Sequence, residues 1–534
     1  MPFALALLVG IVYWLSMYDT HIFNWLKEPI TLGALFGLIF GNLQLGLTIG
    51  AQIQLIYIVA NSVGGNMPAD KTLGAAVAVP LAVMNNLDPE IGLALAIPFA
   101  VVGPGLDNLR RMINVVWYKK AERDIENLNE KQLWLDAYIY PALVQLPIRV
   151  IPVTLLMYFG TDYAGTLVAL MPGWLTTGLS TISNMLPALG MIACVRMIGR
   201  KNLLPYFFLG FFTMKVINMT TLTFTAFAFI IAILSMNLGK EGLDMSNVTS
   251  IYDNKSLDVE NKDLQYQLSK KALKKTRFRS LFAFRIAQNM ETFYGLGYCM
   301  AAQPCLKELY GHDPEQYKAA LRRHMVPYIS EASWGNCIEG AAMAMEEQMA
   351  NGAPITAESI TSVRTGLMGP FAGLGDTING YILRPIIASV CIALALEGHV
   401  IPAFFYGFWG AISYILIGFP TFNTGYKLGK NSLLKMLKGG WVERVMNAAG
   451  ILGMLMMGCL SSNYVKLSTT ISWVLDDQEY LLQNFFDKIL PGFLPLVLLV
   501  VSYLYMVRGK KASNTKLMLA MIVIGLVGAF VGIF

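Results

Sequence analysis

The sequence predicts an all-α polytopic membrane protein built as two membrane modules with re-entrant hairpins and broken helices, and three observations predict it. First, 55% of its 534 residues are hydrophobic and only 14% are charged, where soluble domains carry about 25%, and the mean hydropathy is +0.53. Second, apolar stretches of membrane-spanning composition recur along the chain, many of them punctured by glycine, proline and amide side chains. Third, the net charge of +6 is gathered into a few loops and one linker. That pattern fits positive-inside orientation rather than a nucleic-acid footprint. The six cysteines are scattered without CxxC spacing, so neither a disulfide framework nor a zinc site is expected.

Residues 3–17 form a short apolar helix at the lower limit for crossing about 30 Å of hydrocarbon. No basic region precedes it and no small-residue cleavage site follows, so it reads as a membrane segment and not a removable signal. After the polar joint YDTHIFNWLKEP comes a long apolar region from Ile30 to Met84. Its glycines, Gly33 to Gly50, permit close helix approach. Its polar side chains, Gln44, Gln52, Gln54, Asn61, Asn66 and Asp70, are too numerous for lipid contact. Gln52 and Gln54 differ by two positions, so they share one cavity only if the segment is broken or extended. The other reading of each amide is an interhelical hydrogen bond, worth about 0.6 to 2 kcal/mol. Residues 85–107 repeat the style with Pro98 and Pro104. The next loop, with Arg110, Arg111, Lys119, Lys120, Arg123 and Lys131, is expected on the cytoplasmic side. Further membrane segments fall near 138–160, 164–196 and 204–236, the middle one interrupted at Pro172-Gly173.

The stretch 239–275 is charged and lacks a long apolar run, and it reads as a cytoplasmic linker between modules spanning 1–238 and 276–534. Residues 277–300 mix basic and aromatic residues at helical spacing, the pattern of an interfacial amphipathic helix. The chain from 305 to 360 is helical and more polar. It leads into RTGLMGPFAGLGDTINGYILRP, Arg364 to Pro385, where five glycines and Pro370 interrupt an apolar segment around Asp376, Asn379 and Arg384. A carboxylate beside a broken membrane helix is a site candidate by default. Asp376 is equally readable as a cap of a glycine-rich turn. Membrane segments then follow near 381–396, 401–418, 443–460, 489–506 and 517–534. Residues 462–488 carry few positive charges and should face outside, while Arg508, Lys510, Lys511 and Lys516 lie inside. The C-terminus is therefore expected outside.

The chain has no GxxxxGK[ST], GxSxG or HExxH, and its four histidines, His21, His312, His324 and His399, lie far apart. No cofactor, metal or catalytic residue of its own is expected. With no energy source in the sequence, transport must draw on an ion gradient, a passive pore or a partner.

Several motifs carry a family resemblance. NMETFYGLGYCMAAQPCLKELY, AAMAMEEQMANG, GLMGPFAGLGDTINGYILRP and LPGFLPLVLLVVSYLYMVR, in that order, resemble the IID subunit of mannose-type (mannose/fructose/sorbose) sugar phosphotransferase systems. GAQIQLIYI, PADKTLGAAVAV and LPYFFLGFFTMKVIN resemble the IIC subunit. The resemblance implies a IIC–IID fusion whose modules share one fold in inverted membrane orientations and assemble as a trimer. It also implies a sugar permease of the bacterial cytoplasmic (inner) membrane. There a hexose-type sugar is translocated and then phosphorylated by a separate phosphohistidine-bearing IIB, supplied by IIA. Under it, Gln52, Gln54, Asn66 and Asp70 line the sugar pocket of the first module, and Asp376 and Asn379 shape the matching part of the second. Many IIC relatives carry Glu where Gln54 stands, and an amide binds hydroxyls but holds an amino sugar's cation less well. An ion-coupled secondary transporter, with Asp70 or Asp376 titrating, is the alternative.

Overall fold

The computed structural model describes the chain except residues 17–22, 59–68, 170–171, 199–200, 218, 239–265, 284, 439–440, 476–477 and 509–513. Asn66 and most of the expected linker lie outside the described residues.

The described chain is helical apart from one short hairpin. In the first half the helices are α1 (Phe3–Ser16), α2 (Pro29–Phe40), α3 (Leu43–Ile56), α4 (Lys71–Met84), α5 (Pro89–Glu126), α6 (Glu130–Trp134), α7 (Tyr140–Ala169), α8 (Gly173–Met185), α9 (Pro187–Ile198), α10 (Leu204–Ile217) and α11 (Thr221–Leu238). The second half begins with α12 (Lys270–Ala283), α13 (Gly295–Tyr310), α14 (Pro314–His324) and α15 (Ala332–Ala350). It continues through α16 (Ala357–Gly375), α17 (Arg384–Leu396), α18 (Ile401–Ser413), α19 (Phe419–Lys438) and α20 (Trp441–Tyr464). The antiparallel strands β1 (Ser472–Leu475) and β2 (Gln478–Leu481) precede α21 (Leu482–Ile489), α22 (Phe493–Arg508) and α23 (Asn514–Val531).

Five helical stretches among the described residues are long and apolar enough to cross a membrane: 89–126, 130–160, 173–196, 357–396 and 401–429. Several others are short. At a rise of 1.5 Å per residue, the 12 residues of α2 and 14 of α3 reach only about 18 and 21 Å. They form a tight antiparallel pair because the chain turns at Gly41, whose φ is +88°, and Asn42 caps α3 by accepting from the Leu45 amide at 3.1 Å. The pair lies so close that a Cβ on Gly33 would fall 2.3 Å from the Gly46 carbonyl oxygen. Glycine is required there by backbone contact.

Two hydrophobic cores hold the molecule. The larger draws from both halves, from Ala6 on α1 to Met521 on α23. Its tightest seam is α10 against α20, where a Cβ on Gly210 would sit 2.2 Å from the Leu455 carbonyl oxygen and one on Gly458 2.0 Å from that of Phe207. The smaller core joins the basic, C-terminal end of α5 to the polar helices α12–α16. Apolar side chains such as Val102, Met112 and Val116 on α5, Phe229 and Ile230 on α11, and Val523 and Val527 on α23 remain exposed, forming a lipid-compatible surface.

Three expected elements differ. The single amphipathic helix over 277–300 is two helices, since α12 ends at Ala283 and α13 starts at Gly295. Between them Asn289 folds the chain back, accepting from the Glu291 and Thr292 amides at 2.9 and 2.8 Å. The basic part of the expected linker is also helical from Lys270. The break anticipated over Arg364–Pro385 is instead continuous helix, in which α16 passes through a wide π-helical segment, Asp376–Leu383, into α17.

Candidate functional site

The junction of the two halves gathers buried charge. Glu28 ends the joint before α2 and is 1% exposed. Pro29 at the first helical position fixes the chain direction there. The Glu28 carboxylate accepts from Lys71 Nζ at 2.6 Å and, on its other oxygen, from the Arg384 guanidinium of the second half. Both cations are themselves deeply placed, and Tyr406 of α18 stands beside Glu28 and Arg384. A carboxylate held between two cations is stable in a low dielectric only because each partner is charged and close.

Gln54 faces this cluster. It is fully buried, lies near the Glu28 carboxylate, and neither amide atom makes a hydrogen bond of good geometry. Gln52 sits half-buried on the same helix, its buried Oε1 also without a partner. Leaving such groups unpaired costs about 1–3 kcal/mol each. α3 is regular helix through Gln54, so the two amides point in different directions and only Gln54 faces Glu28.

Asp70 has a different environment. Its Oδ1 caps α4, accepting from the Thr72 and Leu73 amides at 3.0 and 3.1 Å, and its Oδ2 accepts from Tyr13 at 2.8 Å. Tyr13 in turn accepts from Arg149 at 2.7 Å, and Arg149 lies near Asp107, which pairs with Arg110 and Arg111. Asp70 therefore aims α4, and hence Lys71, at Glu28.

In the second half, the π segment carries Asp376 and Asn379 against Glu331. Asn379 Nδ2 donates to Glu331 Oε1 at 3.0 Å. Glu331 Oε2 caps α15 through the Ser333 and Trp334 amides at 3.0 and 2.8 Å. A Cβ on Gly375 would stand 2.6 Å from Glu331 Oε2, so glycine admits the carboxylate. Asp376 is half-buried, with Glu331 and Arg285 within electrostatic range, and Arg285 also reaches Arg384. Arg285 thus stands between the two charge clusters.

The structure brings Gln54 to the junction, places Asp376 and Asn379 together on a neighbouring element, and sets Asp70 at the start of α4 as its cap. Sequence reasoning overlooked Glu28 and Lys71. The signal available was a carboxylate directly before Pro29 and an ammonium entering the apolar run KTLGAAVAV. Among the described residues no group of three or more metal-ligating side chains occurs.

Such a site, with buried charges and an amide without a well-formed hydrogen bond where short helices of the first half meet long apolar helices of the second, fits a multi-pass membrane transport protein. Comparison with known proteins gives the family. Residues 267–534 match the family described as "PTS system mannose/fructose/sorbose family IID component", and residues 3–234 match "PTS system sorbose-specific iic component". The chain is similar to the mannose-specific EIID component of Escherichia coli strain K12, at 30% identity over 51% of this chain and 98% of that protein. It is 32% identical to the fructose permease IID component of Bacillus subtilis strain 168, over 50% of this chain and 97% of that protein. Its first half is 25% identical to the sorbose-specific EIIC component of Klebsiella pneumoniae, over 45% of this chain and 88% of that protein. The chain belongs to the mannose/fructose/sorbose family of the phosphotransferase system, as a IIC component followed by a IID component in one polypeptide. The ion-coupled alternative is not favoured by this membership.

Proposed function

We propose that this chain carries a hexose-type sugar across the bacterial inner membrane and presents it to a separate phospho-IIB. There the phosphohistidine N–P bond breaks, a sugar hydroxyl oxygen takes the phosphoryl group, and the hydroxyl proton leaves. The observation that carries this reading is the buried, unpaired Gln54 amide beside the Glu28–Lys71–Arg384 cluster, in a chain matched by IIC and IID families in order. Sugar hydroxyls both donate and accept, which a neutral amide and a carboxylate can satisfy together.

Gln54 and Asn66 would contact the sugar, with Asp70 holding α4 at the pocket edge and Gln52, on another face of the regular helix α3, turned away from it. Asp376 and Asn379 would shape the second module's side. The α2–α3 pair would be a re-entrant hairpin, since neither helix spans the hydrocarbon. Residues 1–238 would form the IIC module and 276–534 the IID module in inverted orientation, joined by a cytoplasmic linker over 239–275. The C-terminus would lie outside, and three copies would assemble in the bilayer with IIA and IIB as soluble partners.

Right-side-out vesicles containing the chain, with internal IIA, IIB and phosphoenolpyruvate, test this directly. Sugar phosphate should accumulate only with the phospho-relay present. Gln54→Ala should raise KM by about 10- to 100-fold, the loss of 1.4–3 kcal/mol of hydrogen bonding, with unchanged amounts of protein in the membrane. Accumulation of free sugar without the relay would overturn the permease reading, and an unchanged KM would remove Gln54 from the pocket.

A further inference from the structure

A polar cavity lies away from the charge cluster, on the seam between the halves. It has a volume of about 490 Å³, within the roughly 300–1,000 Å³ of small-molecule sites. One wall is α8, whose Thr177, Ser180, Thr181 and Asn184 line the cavity. These positions recur at helical spacing. The opposite face of the same helix packs on α23, with Gly178 against Leu526 and Ile182 against Gly525. The other walls are the start of α5, with Asp88 and Glu90, and the loop after α20, with Lys466.

The walls are fixed to one another. Ser183 donates to the Glu90 carbonyl at 3.0 Å, and the Lys466 amide donates to the Asn184 carbonyl at 3.0 Å. The hydroxyl of Thr181 donates back to the Thr177 carbonyl at 3.0 Å. Its proton is therefore used within the helix, and its lone pairs remain as acceptors for a ligand. Among the described residues Asp88, Glu90 and Lys466 form no ion pair. The cavity thus offers many acceptors, two carboxylates and one ammonium donor. It suits an uncharged ligand with several hydroxyls: an anion would meet two carboxylates, and an apolar ligand would strand the hydroxyl wall.

Its position completes the argument. α5 begins at this cavity and runs 38 residues to the basic end that carries Arg110 to Arg123. α23 likewise starts just after the basic stretch Arg508–Lys511, and the chain ends at the cavity with Phe534. The cavity therefore opens at the end of the bundle remote from the positive loops, which is the outer side under the positive-inside rule.

We propose that this seam cavity is an outer capture subsite for an uncharged saccharide, separate from the Gln54 pocket and met before it. The inference rests on the permease reading above. It predicts that the subsite raises the local sugar concentration at the mouth, so its loss appears in KM. Filling it with Ser180→Leu, or with Thr177→Leu in a second variant, tests this in right-side-out vesicles with the full phospho-relay. Radiolabelled D-mannose, D-fructose and L-sorbose are the probes. KM for the transported sugar should rise at least fivefold, with the loss confined to KM, and Lys466→Met should move it in the same direction. In nanodiscs, ligand-observed saturation-transfer NMR with the same sugars should retain a signal in Gln54→Ala and lose it in Gln54→Ala/Ser180→Leu.

If the unsubstituted chain accumulates sugar phosphate while both leucine variants keep its KM, the capture subsite is overturned and the permease reading stands. If it accumulates no sugar phosphate with the relay, the permease reading falls. The nanodisc comparison then decides the subsite alone, and equal signals with and without Ser180→Leu overturn it.

Discussion

Glu339, inside the polar helices of the second half, provides a quantitative test of the structure. It lies on α15, outside the long apolar helices, and is fully buried. Its neighbour Glu346 is bound by Arg323 at 2.6 and 2.5 Å and by His324 Nε2 at 2.9 Å. Burial acts to raise that carboxyl, but these bonds outweigh it and hold it at about 2. Glu339 has no such partners. Its oxygens lie 4.0 Å from His324 Nδ1 and from Arg364 and make no hydrogen bond. Burial therefore pushes it up to about 7 from 4.5, against the nearby charge of Arg364 and with that of Glu346.

A raised native pKa means that the native state keeps a proton which the unfolded chain releases. Stability from this group is full below about 4.5 and is lost as pH rises to about 7. The loss is about 1.4 kcal/mol per unit, roughly 3 kcal/mol in all. Glu339→Gln removes it, because the amide is neutral at every pH. Melting of the full chain in detergent should therefore show the variant gaining on the unsubstituted protein between pH 5 and 7, with no further gain above. His324 runs the other way: burial, helped by Arg364, lowers it to about 4 from 6.5. Its contribution is lost as pH falls through that range, but it is common to both proteins and cancels in the difference. A variant less stable at all pH values would refute the reasoning and make Glu339 an ionised partner of Arg364.

Three further outcomes are expected. Glu28→Gln should cost about 3–5 kcal/mol, because Lys71 and Arg384 would remain buried without their shared carboxylate. A thermal double-mutant cycle with Arg384→Gln should give a coupling of about 0.5–3 kcal/mol, and strict additivity would deny the contact. Gly375→Ala should displace Glu331, whose Cβ and Oε2 stand 2.6 Å from the added methyl, and lower both melting temperature and transport. Gly366→Ala, with open space around it, should be near neutral, so equal effects of the two would show that the Glu331 contact is irrelevant. The halves, split between residues 238 and 266 and co-expressed, should co-purify one to one, and failure to associate would contradict the shared core.

The helical membrane class and most segment positions were legible because lipid demands long apolar runs and places basic residues at one end. The interruption at Pro172-Gly173 was legible for the same reason that α8 starts at Gly173: proline cannot continue the preceding helix. The continuity of α16 through α17 was not. Glycine frequency marks a weak helix, but Gly375 is there to admit Glu331 from a residue more than forty positions away, and that contact is invisible in a local window. The charge cluster was half legible. Gln54 and Arg384 stood out as polar residues in apolar surroundings, whereas Glu28 and Lys71 looked like ordinary loop charges. Pairing between distant segments decides burial, and local sequence does not encode which distant segment arrives. Asp70 is a further case: the sequence reading places it in the sugar pocket, and the structure shows it capping α4, a role its position just before an apolar run could have suggested.

The contacts that cross the junction explain how one polypeptide can hold what its relatives keep as separate components. Glu28 meets Arg384, Thr31 donates to the Ala403 carbonyl at 2.9 Å, and α10 lies against α20 at backbone distance. These contacts join IIC to IID elements through buried, shape-matched surface, which is where association energy resides. A covalent linker adds no contact to that surface. It raises the effective concentration of one module near the other to the millimolar range and fixes their ratio at one to one. The fusion therefore acts on assembly rather than on the site. The Glu28 carboxylate, supplied by one module and clamped by a cation from each, makes the candidate site a property of the pair: without Arg384, Lys71 alone would hold that buried charge.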